Sequence, residues 1–158
     1  MQKLNLPEYL FRIKNENGKE LIFDELRKKF VRLTPEEWVR QNFIRFLIAE
    51  KNYSPALMVV EAGVNVNNNP LRADLVVFGR NGQPLLAAEF KAPAVKISQD
   101  AFNQIVRYNM NLKVAYLIVS NGLSHFCCRM DYPGNSYDFL QEIPDFTEVI
   151  QNLSENQK

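Results

Sequence analysis

Histidine is almost missing from this 158-residue chain: His125 stands alone, which excludes a histidine-rich zinc centre. Cysteine is nearly as scarce, and Cys127 and Cys128 are neighbours. Adjacent side chains on a strand face opposite sides, so these two neither share a metal easily nor close a disulfide. No apolar run approaches the ~20 residues that span a bilayer, and Met1-Gln2-Lys3-Leu4-Asn5 is no signal sequence. Together these absences predict a cytoplasmic protein in a reducing compartment, without membrane contact. Any catalysis must rest on carboxylates, lysine, arginine and a hard metal ion. Net charge is scarce too, at +1, but the sum hides a division. Met1–Met130 holds 18 basic against 12 acidic residues, whereas Asp131–Lys158 holds one lysine and six acids. A basic body with an acidic end remains compatible with a polyanionic partner.

The length suits one domain with a sizeable core. No repeat is present. Tyr9–Ile13 and Glu20–Phe23 flank Asn17-Gly18, a type I′ hairpin signal. Thr34-Pro35-Glu36-Glu37 reads as a capped helix start, with apolar residues at helical spacing to about Lys51. Three strands follow, Leu57–Val66, Leu71–Phe78 and Pro84–Lys91, joined by turns at Asn67–Pro70 and Arg80–Gly82. Ser98 caps a helix to about Asn111, then strands Val114–Ser120 and Leu123–Met130 pair across Asn121-Gly122. A loop at Asp131–Ser136 and a short helix at Asp145–Leu153 complete the chain. This order predicts an α/β (α+β) fold, a central mixed sheet flanked by helices. Within it, residues 1–33 form a hairpin extension, 34–130 the core and 131–158 an acidic tail.

Two strands carry residues that do not suit them. Asp74 shares a face with Val76 and Phe78, and Glu89 and Lys91 share one with Leu85 and Ala87. Both strands are apolar on both faces, so these charges need partners or a metal. One reading is a buried ion pair of Asp74 or Glu89 with Lys91. The other is a site for Mg²⁺ (or Mn²⁺) built from Asp74, Glu89 and the Phe90 carbonyl, since hard cations take oxygen ligands. Lys91 then stands beside a phosphate or the attacking water.

Asp74 followed by Glu89-x-Lys91 resembles the active-site motif of the PD-(D/E)xK nuclease superfamily, with Ala73 replacing the proline. Four segments narrow the likeness: Thr34–Gln41, Arg72–Val77, Ala88–Pro93 and Gln104-x-x-x-Tyr108. Over Phe23–Met130 the chain resembles the N-terminal nuclease domain of type I restriction enzyme R subunits, including its compact free-standing forms. The resemblance implies a restriction-endonuclease-like fold and metal-dependent hydrolysis of DNA. It implies catalytic roles for Glu37, Asp74, Glu89, Lys91 and Gln104.

For several of these residues a plainer role competes. Glu37 equally completes a capping box with Thr34. Arg40, one turn on, binds phosphate or pairs with Glu37, and pairing is favoured. Gln104 and Tyr108 lie beside the nuclease centre or edge a helix whose core face is Ala101, Ile105 and Tyr108. Arg27, Lys28 and Lys29, with Arg32, contact a DNA backbone or are simply solvated. The expected partners are DNA and separately encoded subunits, with a homodimer as one possible assembly. The competing function is a catalytically silent nucleic-acid- or protein-binding module on the same fold.

Overall fold

A computed structural model describes residues 1–66 and 69–156. The chain first forms a small antiparallel sheet. Asn17 and Gly18 both take positive φ, 52° and 79°, as a type I′ turn requires, and join β1 (Ile13–Glu16) to β2 (Lys19–Asp24). The first strand starts at Ile13 rather than at Tyr9, and the register explains why. Ile13 pairs with Ile22, so residues before Phe11 would have to pair beyond Asp24. There the chain turns instead, because Asp24 Oδ1 accepts from the N–H groups of Leu26 and Arg27 at 2.8 and 2.9 Å. The turn leads into β3 (Lys29–Arg32), a strand not expected from its lysine-rich sequence, which pairs antiparallel with β2.

Helix α1 (Pro35–Glu50) begins as expected: Thr34 accepts the Glu37 N–H at 3.0 Å and proline occupies the first turn. The main sheet has six strands in sequential order: β4 (Met58–Val66), β5 (Asn69–Phe78), β6 (Pro84–Phe90), β7 (Tyr116–Ser120), β8 (His125–Asp131) and β9 (Ser136–Leu140). Only β6 and β7 run parallel, because α2 (Gln99–Asn109) carries the chain between them. The expected turn at Asn67–Pro70 falls partly on residues 67 and 68, outside the described residues, and β5 already begins at Asn69.

Strand alternation sorts the core into two layers. Leu75, Val77, Leu86, Ala88, Phe90 and Ile118 meet Val39, Phe43 and Leu47 of α1. Val76, Ala87, Leu117 and Val119 meet Phe102 and Val106 of α2. The buried face of α2 is therefore Phe102, Val106 and Asn109, one position round from the expected Ala101, Ile105 and Tyr108. The segment read as an acidic tail contributes β9, paired with β8, and α3 (Phe146–Asn156), whose Val149 is fully buried on the α1 side. Apolar residues at Val149, Ile143 and Phe146 supply the packing that its charge count obscures. The result is a mixed sheet with helices on both faces, the fold class expected from the sequence. Among the described residues no helix is long and apolar enough to cross a membrane.

Asp24 links the two sheets. It is 0% exposed, and besides the two backbone bonds its Oδ2 accepts from Arg27 Nε. Burial alone pushes its carboxyl up, but the Arg27 backbone and side-chain bonds outweigh this and hold it below the usual range. A carboxyl depressed in the folded state stabilises above its unfolded pKa and ceases to as pH falls through the folded value. Asp24→Asn is therefore expected to cost about 1–3 kcal/mol at pH 7 and to flatten the acid limb below about pH 4, read by urea denaturation across pH.

Candidate active site

Leu75 pairs with Ala88, which sets Asp74 on β5 beside Glu89 on β6. Asp74 Oδ2 accepts the Phe90 N–H at 2.7 Å, fixing the aspartate across the strand joint. Its other oxygen, Oδ1, lies 3.6 Å from Arg40 Nη2. The register sets the Asp74 and Glu89 carboxyls side by side. Burial first, then the neighbouring Asp74 carboxylate, push Glu89 up to about 8, against an opposing pull from Lys91. The ion pair of Lys91 with Asp74 or Glu89 considered from the sequence is not formed among the described residues. Asp74 pairs with Arg40 instead. Lys91 is half-buried, and its backbone N–H donates to Ser120 O at 2.9 Å, anchoring the end of the Glu89-Phe90-Lys91 segment to β7.

Arg40 is 4% exposed and stands among carboxylates. Nη1 meets Glu37 Oε2 at 3.1 Å and Glu61 Oε1 at 3.3 Å, while Nη2 faces Asp74 and, at 3.9 Å, Glu36. Its Nε has no hydrogen-bond partner among the described residues. Arg27 repeats the pattern from the small sheet, reaching Glu37 Oε1 at 2.9 Å and Glu61 Oε2 at 3.5 Å beyond its bond to Asp24. Glu37 therefore does only half of a capping box. Its N–H is capped by Thr34, but its carboxylate turns to Arg27, Arg40 and, at 2.8 Å, the Gln41 amide. The expected Glu37–Arg40 pair is present, and each partner has further duties.

Not every candidate converges here. Lys28 takes φ 55° in the turn before β3 and approaches Glu25 at 3.8 Å, and Lys29 is exposed at the strand's start. Arg27, grouped with them in the sequence, points inward. Gln104 and Tyr108 lie on the exposed side of α2, the helix packed against Val76 and Ala87. Gln104 makes no hydrogen bond to either acid among the described residues.

Glu61 escaped the sequence reading. It adopts φ 53° within β4, between the pairs Val60–Leu75 and Ala62–Ala73, opposite Asp74. A left-handed residue that is neither glycine nor asparagine inside a strand is strained, and such strain persists where the surroundings over-determine it. The Glu61 carboxylate meeting both guanidiniums is that determinant. The available signal was an acid in the apolar run Val59-Val60-Glu61-Ala62, the same kind of anomaly that marked Asp74.

Two juxtaposed carboxylates and a neighbouring backbone carbonyl fit a hard, oxygen-seeking divalent cation. Among the described residues no three His, Cys, Asp or Glu side chains form a ready cage. The donor set matches an ion such as Mg²⁺, which keeps several waters and needs only one or two carboxylates.

Glu61→Gly and Glu61→Ala both delete the carboxylate, but only glycine accepts the left-handed backbone without penalty. The glycine variant is expected to be more stable than the alanine variant by about 1 kcal/mol in urea denaturation. Equal stability would mean that the positive φ stores no strain.

Residues 35–144 match the family model described as the type I restriction enzyme R protein N terminus (HSDR_N). No curated protein matches the chain. Among solved structures, a chain described as an HsdR-subunit fragment of a type I restriction enzyme from Vibrio vulnificus YJ016 has a similar fold. The TM-score is 0.57 at 18% identity, over 78% of this chain and 26% of that one. The present chain thus spans about a quarter of the length of that fragment. Helix α1, the β4–β5–β6 meander, the α2 crossover and the acid pair at its edge all lie within the matched residues, and the chain belongs to the family of type I restriction enzyme R protein N-termini.

Proposed function

We propose that the chain is a metal-dependent DNA endonuclease module of the PD-(D/E)xK type, hydrolysing phosphodiester bonds with Mg²⁺ or Mn²⁺. The observation that carries this is the pair of carboxylates Asp74 and Glu89, set side by side on adjacent interior strands of the main sheet, with Lys91 two residues beyond. Asp74, Glu89 and the Phe90 carbonyl would hold the cation. When bound, it supplies Lewis-acid polarisation of the phosphate and an acidified water. The rest of the work falls to the chain. The Phe90 N–H and Arg40 hold Asp74 in place from two sides. Lys91 offers a positive charge where the pentavalent phosphate gathers negative charge. Glu37 and Glu61 act one step away, keeping Arg40 oriented.

DNA is the proposed substrate, and the family's R-subunit setting makes separately encoded subunits the proposed assembly partners. One observation favours the silent alternative. Arg40, deeply buried and in contact with Asp74, already places a positive charge beside the acids.

The deciding experiment incubates plasmid and linear DNA with the protein and Mg²⁺ or Mn²⁺, beside Asp74→Ala and Lys91→Ala. Each variant is expected to lose at least about 100-fold in cleavage rate while circular dichroism shows it folded. No cutting by the parent, together with no divalent-metal shift of its thermal midpoint, rejects the nuclease reading. Cutting by a folded Asp74→Ala variant at the parent rate rejects this site.

A further inference from the structure

The residues before α1 lie outside the family match, which begins at residue 35, yet they form an ordered sheet with two unlike faces. The register places Ile22 and Asp24 on the inner face, both fully buried. The opposite face carries Arg12 and Lys14 from the β1 side, Lys19 from β2 and Arg32 from β3, all exposed, around half-buried Phe23 and Phe30. Glu16 is the one acid on it, paired to Lys14 at 3.3 Å. This concentration of cations is not a diffuse surface average, because the chain as a whole is nearly neutral.

The aromatics determine how the face is used. Phe23 and Phe30 pack edge to face with centroids 5.1 Å apart. The Arg12 guanidinium lies 4.5 Å over Phe23 and 5.5 Å from the Phe30 centroid, and the Lys14 ammonium 4.2 Å over Phe30. Cations already cover the rings, so a nucleobase would have to displace them before it could stack. What the rings do is hold two flexible cationic side chains flat against the sheet, which lowers the ordering cost of meeting a negatively charged partner. Across strands such residues stand about 5 Å apart, and along a strand alternate residues stand about 7 Å apart, so the face is a compact array of positive heads.

We infer that this face of the N-terminal sheet binds the phosphate backbone of duplex DNA, independently of base sequence, and seats the duplex for the Asp74–Glu89 site. The choice of DNA as the polyanion rests on the nuclease reading; the phosphate chemistry rests on the face itself. The sheet is also fixed relative to the acids. On the inner side of β2, Asp24 holds Arg27, which contacts Glu37 and Glu61, and these contact Arg40 beside Asp74. A duplex held on the outer face is thereby held by an element tied through ion pairs to the proposed catalytic centre.

The test is fluorescence anisotropy of a short labelled duplex with the full chain in EDTA, so that binding is read without cleavage, over a range of salt. Lys19→Ala/Arg32→Ala alters two exposed cations that support no ring. It is expected to weaken binding about tenfold at low salt and to make the log K against log salt slope shallower by about 2. Arg12→Ala should weaken binding in the same direction. Arg80→Ala, an exposed arginine in the β5–β6 turn, should stay within about twofold of the parent. Circular dichroism and the thermal midpoint identify any variant that has lost its fold, and Lys19→Ala/Arg32→Ala carries the conclusion if Arg12→Ala is one of them. An unchanged affinity and slope in the double variant overturns the inference, as does an equal loss in Arg80→Ala. Tighter binding of the corresponding single strand, abolished by Phe30→Leu, overturns it in favour of base stacking. Failure of the parent to cut DNA leaves these binding results intact, so the two readings fail separately.

Discussion

Positive and negative groups alternate through the middle of this protein as a continuous chain: Asp24, Arg27, Glu37, Arg40, Asp74. Each member comes from a different place, the end of β2, the following turn, the first and second turns of α1, and β5. Burying one such charge is costly, and burying a complete alternating set is tolerable because every guanidinium meets more than one carboxylate. The network does more than neutralise. It sets how the small sheet, α1 and the main sheet lie relative to one another, in a region where the apolar clusters alone would permit sliding. The strained backbone of Glu61 belongs to the same arrangement, since its carboxylate bridges both arginines.

The acid pair sits at the end of this chain and differs from the rest of it. Asp24 and Glu37 are each met by guanidinium groups, whereas Glu89 forms no ion pair among the described residues, lies beside Asp74 and is pushed up to about 8. Compensation thus stops one carboxylate short. A purely structural network would gain by extending the pairing to Glu89, and Lys91 is close enough in sequence to have done so. A bound divalent cation would supply positive charge at the Asp74–Glu89 pair, and family membership gives that pair a biochemical context.

The juxtaposition of Asp74 and Glu89 was legible in the sequence because charges on doubly apolar neighbouring strands call for partners. The six-strand order was nearly legible as well, since the turns at Arg80–Gly82 and Asn121-Gly122 and the Ser98 cap are local chemistry. What remained hidden was non-local. Arg27 reads as one of a basic triplet until Asp24 folds the backbone back and turns that side chain inward. Glu61 could be noticed but not interpreted, because neither its left-handed φ nor its two arginine partners are encoded nearby. Strands β3 and β9 are short and polar on one side, and each exists because a neighbouring edge was available to pair with. Gln104 shows the converse limit: a motif position can be recognised although its exposed side chain makes no hydrogen bond to either acid among the described residues.

The sequential order of the main sheet has a consequence for how the centre comes together. Asp74 and Glu89 belong to one hairpin, β5–β6, so a short loop closure brings the acids side by side. Their guanidinium neighbours arrive from α1 and from the turn after β2, which must dock from far away along the chain. The acidic half of the centre is thus a local structure and the basic half a tertiary one. Fluctuations that lift α1 or the small sheet, without disturbing the meander, would leave the carboxylates together but stripped of their counter-charges. The electrostatic balance of the centre is therefore a sensitive reporter of whether the outlying elements are in place.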